Sequence, residues 1–207
     1  MKKKIALCFR GKTNYFINSV DNIKSYIIDD LKENYELDMF IYTYQADDNQ
    51  IIINYLNPVR FVYCPNEYLE IKYGMYGLVQ RQIKDCCNII KSYEIENSIT
   101  YDYIIITRFD LTFNNKFSEY NIDYNKINME CMFVPDNNSG DNFILFPRIY
   151  LNKFINSVEL NINDNSNSHQ LYVYFHKNNL ETHYICGETT KRNPKYDVMF
   201  RFTRYLI

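Results

Sequence analysis

The run Tyr101-Asp-Tyr-Ile-Ile-Ile-Thr-Arg-Phe-Asp-Leu-Thr-Phe113 concentrates more chemistry than any other stretch of the chain. An apolar strand that stops abruptly at Arg108-Phe109-Asp110 puts an arginine and a carboxylate on one face, because strand side chains alternate. The pair reads either as a structural ion pair at a strand end or as the rim of a ligand site. Guanidinium groups grip diphosphate oxygens through charge-assisted forks, and aspartate oxygens suit hard divalent cations. Similar groups follow the other apolar runs. Arg10-Gly11-Lys12 closes Lys4–Phe9, and Thr43-Tyr44-Gln45 closes the run that begins at Met39. Asp136 and Asp141 lie in the loop Pro135-Asp-Asn-Asn-Ser-Gly-Asp-Asn142. Cations after the first run and carboxylates after the later ones suit a metal–diphosphate ligand.

These residues need a scaffold, and the hydrophobic pattern supplies one. Lys4–Phe9, Met39–Tyr44, Val59–Cys64 and Tyr101–Thr107 read as buried strands. Between them, Phe16, Val20, Ile23, Ile27 and Leu31 recur in steps of three and four, predicting a helix over Asn14–Leu31. A short helix is expected over Ile51–Leu56 and a long one over Tyr73–Glu96. Further strands are predicted at Cys131–Val134, Phe143–Phe146 and Thr182–Cys186, with helices at Arg148–Leu160 and His169–Lys177. Asn114–Glu130 is polar with little periodicity. Strands alternating with helices predict an α/β fold with a mixed, mostly parallel central sheet flanked by helices, in which ligands bind at the carboxyl ends of the strands. No internal repeat or linker divides the chain, so residues 1–207 are expected to form one domain.

In the order of its pieces the sequence resembles the GT-A-type glycosyltransferases of large DNA viruses and bacterial surface-polysaccharide loci. The resemblance rests on Lys4-Ile-Ala-Leu-Cys-Phe-Arg-Gly11 followed by Asp38-Met-Phe-Ile-Tyr-Thr-Tyr44, on the helix beginning Tyr73-Gly-Met-Tyr-Gly-Leu-Val-Gln-Arg-Gln, and on Tyr101–Phe113; it covers roughly residues 4–150. It implies a nucleotide-diphosphate sugar donor (UDP- or GDP-linked), a glycan or glycoprotein acceptor, and Mn²⁺ or Mg²⁺, with nucleotide binding in about 1–113 and the acceptor side in about 114–207. Asp110 matches the last carboxylate of the family's Asp-x-Asp metal motif, and Arg108 stands where the first is expected. Arg10 and Gly11 match the turn that approaches the nucleotide, with Thr43 beside it at the end of the second strand. Arg81, on the preceding helix, is either a partner for phosphate or Asp110, or a solvated helix charge. Asp141 is either the acceptor-side general base or a turn aspartate. Two alternatives stay open: a degenerate, non-catalytic nucleotide-sugar binding module, and a nucleotidyltransferase, which would want a fuller glycine-rich loop than Gly11-Lys12.

Other features narrow the function by exclusion. A formal net charge of −2 gives no basic excess for phosphate-backbone binding, so no nucleic-acid partner is expected. The six cysteines include no CxxC pair and read as reduced thiols of a cytoplasmic protein. No apolar run is long enough for a membrane span. His169 and His176 are about two helical turns apart, too far for a one-turn metal pair, and His183 is not expected to be a ligand. Lys191 and Arg192 in the basic tail are candidates to fold over a diphosphate, and most of the 21 tyrosines must serve packing.

Overall fold

The computed structural model describes residues 2–13, 16–46, 49–64, 74–133, 138–189 and 199–202. Strand β1 (Lys3–Gly11) sets the architecture. Ile5 to Phe9 are all fully buried, as a strand covered on both faces requires. Ile5, Leu7 and Phe9 enter one core, while Ala6 and Cys8 enter a second core on the other face.

The first core is closed by helices that follow β1. Helix α1 (Phe16–Ile23) passes through a π-helical turn (Lys24–Ile28) into α2 (Asp29–Asn34). Phe16, Val20, Ile23, Ile27 and Leu31 face the sheet, the stripe that the sequence predicts. Strand β2 (Tyr35–Thr43), helix α3 (Asn49–Leu56) and strand β3 (Arg60–Tyr63) complete this half, α3 ending at Asn57 with a left-handed φ of 45°. Helix α4 (Gly74–Asn97) then crosses to the opposite face and packs Ile83, Cys86, Cys87 and Ile90 into the second core. Strand β4 (Tyr103–Arg108) follows.

The remaining strands are short: β5 (Leu111–Phe113), β6 (Ile127–Met129), β7 (Met132–Phe133), β8 (Asn138–Ser139), β9 (Phe143–Pro147), β10 (Thr182–Tyr184), β11 (Glu188–Thr189) and β12 (Phe200–Phe202). Helices α5 (Leu151–Asn163) and α6 (Leu171–Lys177) cover the second core, where Phe146, Phe154 and Phe175 stack at centroid distances of 4.1 and 4.9 Å.

Seven strands form the central sheet in the order β10-β6-β9-β4-β1-β2-β3. β9 runs antiparallel to both its neighbours and every other pairing is parallel. The expected α/β class with a mixed, mostly parallel sheet is therefore present. β6 is a departure, because it lies within the stretch whose polarity gave no strand signal. Its Asn128 is fully buried, accepting from the Asp123 amide and donating to the Asp123, Lys126 and Leu145 carbonyls at 2.8–3.3 Å. A buried amide that meets its own hydrogen-bonding needs lets a polar residue sit inside a strand.

Strand order reverses at β1: β2 and β3 extend to one side and β4 lies on the other. Open α/β sheets hold ligands in the crevice beyond the carboxyl ends at such a point. Arg10 and Arg108 are register partners on β1 and β4 at that place. Among the described residues, no helix is long and apolar enough to cross a membrane.

Candidate functional site

Arg10 follows Ala6 and Cys8 in strand alternation, so its side chain is directed to the α4–α5–α6 face. It is 1% exposed. Its Nη2 donates to the Asp141 carbonyl oxygen at 2.5 Å and its Nη1 to Gln82 Oε1 on α4 at 3.4 Å, while Nε has no partner among the described residues. None of the ion pairs among the described residues involves Arg10. Burial pulls its pKa down; the carboxylate of Asp141 opposes this, and the like charge of Arg108 adds to it. A guanidinium stays protonated all the same. The result, among the described residues, is a buried cation held by neutral oxygens.

Arg108 is partly exposed and paired. Its Nε and Nη2 donate to Asp110 Oδ1 and Oδ2, each at 2.7 Å, a two-pronged fork. Burial depresses the Arg108 pKa, but the bond and charge of Asp110, with Asp141 and Glu130 beyond, outweigh it and raise the value. Alternation had placed Arg108 and Asp110 on one face, and they meet there.

The loop before β9 brings the third strand end into the group. Ser139 Oγ donates to the His169 carbonyl at 3.1 Å, and the Gly140 amide donates to the Cys131 carbonyl at 3.0 Å. Asp141 is buried, with His169 Nδ1 lying 3.8 Å from its Oδ1 and 3.1 Å from the Ser139 carbonyl. Glu130, just beyond β6, accepts from Asn142 Nδ2 at 3.1 Å and from the Cys131 thiol at 3.7 Å. Burial lifts its pKa to about 7; the Asn142 bonds hold it down and the charge of Asp141 adds to the rise. A Cβ on Gly140 would lie 2.0 Å from Glu130 Cγ, so the glycine makes the room in which this carboxyl sits.

Gly11 has a φ of +98°, which favours glycine, and its carbonyl accepts from the buried Thr43 Oγ1 at 2.7 Å. Thr43 therefore braces the turn after β1. Arg81 does not reach Asp110: it pairs with Asp85 on its own helix at 3.4 Å, and Asp85 also accepts from Tyr42 at 2.7 Å. The α4 residue that faces Arg10 is its neighbour Gln82, which also donates to the Tyr44 hydroxyl at 2.8 Å. Burial pushes the Tyr44 phenol up to about 12, against the lowering pull of Arg10. His176 pairs with Thr182 at 3.0 Å and His183 with the Asn121 carbonyl at 2.8 Å, both away from this cluster. Asp136, Lys191 and Arg192 lie outside the described residues.

Sequence reasoning missed Gln82, Glu130 and the approach of His169 to Asp141. Only Glu130 left a trace: a carboxylate set in the apolar run Ile127-Asn-Met-Glu-Cys-Met-Phe133. The surroundings of Asp110 do not fit the expected Mn²⁺ or Mg²⁺. Both of its oxygens accept from Arg108, and among the described residues no three His, Cys, Asp or Glu side chains are grouped to hold a metal ion.

No protein-family model and no curated protein matches the chain. A solved structure resembles it: the apo-form glycosyltransferase GlyE of Streptococcus pneumoniae TIGR4. That likeness covers 87% of this chain at 14% identity with a TM-score of 0.47. The chain spans 45% of that structure's length. At this distance the site must be judged by its own chemistry. Arg10 and Arg108 are register partners at the carboxyl ends of β1 and β4, and the buried carboxyls of Asp141 and Glu130 stand near them.

Proposed function

We propose that this chain is a glycosyltransferase that takes a sugar from a nucleoside-diphosphate donor and passes it to a hydroxyl of a glycan or glycoprotein. The observation that carries this reading is Arg10. Burying a guanidinium with no ion pair among the described residues costs several kcal/mol, only partly offset by the nearby charge of Asp141, and a diphosphate supplies further negative charge. Arg108 offers a second guanidinium one strand away, and the Gly11 turn lets backbone approach the phosphates closely.

In the proposed reaction the acceptor oxygen bonds to the anomeric carbon as the bond from that carbon to the diphosphate oxygen breaks. The leaving diphosphate keeps the electron pair, and Arg10 and Arg108 stabilise its growing charge. The acceptor proton passes to the Asp141 carboxylate, whose backbone already holds Arg10. His169 Nδ1 lies 3.8 Å from that carboxylate.

A second reading, a binding module without turnover, has its own support in the closed Arg108–Asp110 fork, which ties up the carboxylate that the resemblance assigns to the metal. One assay separates them. The protein is incubated with UDP-, GDP- and dTDP-sugars, and released nucleotide is measured beside the shift in melting temperature. Turnover that Asp141→Asn removes supports the transferase; a melting shift without turnover supports the module; neither effect rejects both.

A further inference from the structure

We infer that the Tyr44 hydroxyl donates a hydrogen bond to an uncharged oxygen in the nucleoside half of the donor. The inference rests on the donor reading above and names a residue that recognises the part of the donor beyond its phosphates. It follows from the direction of a short chain of hydrogen bonds. The Arg10 guanidinium can only donate, so the Gln82 side chain turns its Oε1 to it. The amide then presents Nε2 at its other end, and this donates to the Tyr44 hydroxyl oxygen at 2.8 Å. Tyr44 is therefore an acceptor within the chain, and its own proton is left to give. Tyr42 and Tyr101 spend theirs on Asp85 and Asp38, each at 2.7 Å, whereas that of Tyr44 meets no acceptor among the described residues. With the phenol pKa pushed up to about 12, the half-buried hydroxyl keeps this proton at neutral pH.

The order of the strands decides which part of the donor lies there. β9, β4, β1 and β2 are consecutive in the sheet. Asp141 stands just before β9, Arg108 ends β4, Arg10 is on β1, and Tyr44 follows β2. With the diphosphate at Arg10 and the reacting sugar beside Asp141, the nucleoside extends to the other side, toward β2. Gly11, the register partner of Thr43, does not block that course: a Cβ on it would meet nothing within 4 Å. Guanidiniums suit the charged phosphates, and a neutral phenol suits an uncharged oxygen of the ribose or the base.

Calorimetric titration of the whole chain and of Tyr44→Phe with UDP, GDP and inorganic diphosphate tests this. The variant removes one oxygen and keeps the ring, and its melting curve checks that it folds. It is expected to lose about fivefold in affinity for nucleotide, the usual worth of a neutral hydrogen bond, and to bind inorganic diphosphate as the wild type does. A loss shared by UDP and GDP assigns the oxygen to the ribose, and a loss confined to one of them assigns it to that base. A nucleotide loss below about threefold overturns the inference and leaves the donor reading standing. An equal loss for inorganic diphosphate overturns it too, because the hydroxyl would then serve the phosphates. No binding of either nucleotide by the wild-type chain overturns both.

Discussion

Burial of the Arg10 guanidinium carries a cost. A buried guanidinium bonded to a carbonyl and an amide oxygen gives up hydration with only the nearby charge of Asp141 to offset it. Replacing such a charge by an apolar side chain of similar length commonly leaves a fold as stable or more so. Arg10→Met is therefore expected to hold or raise the melting temperature while reducing nucleotide affinity at least tenfold. Calorimetry and thermal denaturation of the same sample check both halves, and a destabilised variant with intact binding would return Arg10 to a structural role. Glu130 makes a different prediction. Its pKa is raised by burial to about 7, with Asp141, Arg108 and the Cys131 thiol as its charged or titratable neighbours and Asn142 as its hydrogen-bond donor. The folded state thus binds this proton more tightly than the unfolded chain does. Its contribution is fully present below the ordinary glutamate range and is lost as pH rises through about 7. Glu130→Gln should flatten that slope, removing on the order of 1–3 kcal/mol of pH dependence between pH 5 and 8 in denaturant titrations. An unchanged slope would mean that Glu130 is ionised throughout. Arg10, Arg108, Asp110 and Asp141 were legible in the sequence because each stands in or beside a strand-end pattern. Gln82 and Arg81 were not distinguishable there, since only the packed orientation of α4 decides which neighbour turns toward Arg10.

At the scale of elements, the turn after β1 and the loop Ser139–Asn142 each need a glycine, for different reasons. Gly140 is needed for space: a methyl there meets Glu130 Cγ at 2.0 Å. Gly140→Ala should cost about 1–3 kcal/mol, the usual penalty for overpacking, and Glu130→Ala in the same chain should recover much of it. Equal losses with and without Glu130 would disprove the contact. A methyl on Gly11 would meet nothing within 4 Å, but the backbone there has a φ of +98°. Gly11→Ala should therefore be destabilising through backbone strain alone, with no second-site rescue. The strands β1 and β4 were readable because full burial on both faces writes them as unbroken apolar runs. β6 was hidden because it is three residues long and centred on Asn128, whose bonds to the Asp123, Lys126 and Leu145 carbonyls come from tertiary structure. The antiparallel course of β9 was hidden as well, for a five-residue apolar strand reads the same in either direction.

The whole molecule shares one sheet between two cores, and β1 feeds both from alternate side chains. Loss of β1 therefore removes Phe9 from one core and Cys8 from the other at once, which predicts a single cooperative transition for the chain. With 21 tyrosines and no tryptophan, near-UV signals report tyrosine packing on both faces, while far-UV signals report the backbone. The two melting curves should coincide; separated midpoints would mean that the halves unfold independently. Cooperativity also makes a ligand visible globally, because the nucleotide of the proposed function, bound at the ends of β1 and β4, would have to dissociate before either core opens. At a free concentration of about 100 Kd it stabilises the native state by about 2.7 kcal/mol. For a domain of this size that corresponds to a rise of roughly 5–10 °C in melting temperature. The rise should appear in both signals together and should vanish in Arg10→Met. A rise confined to one signal would place the ligand on a part of the molecule that melts separately from the sheet.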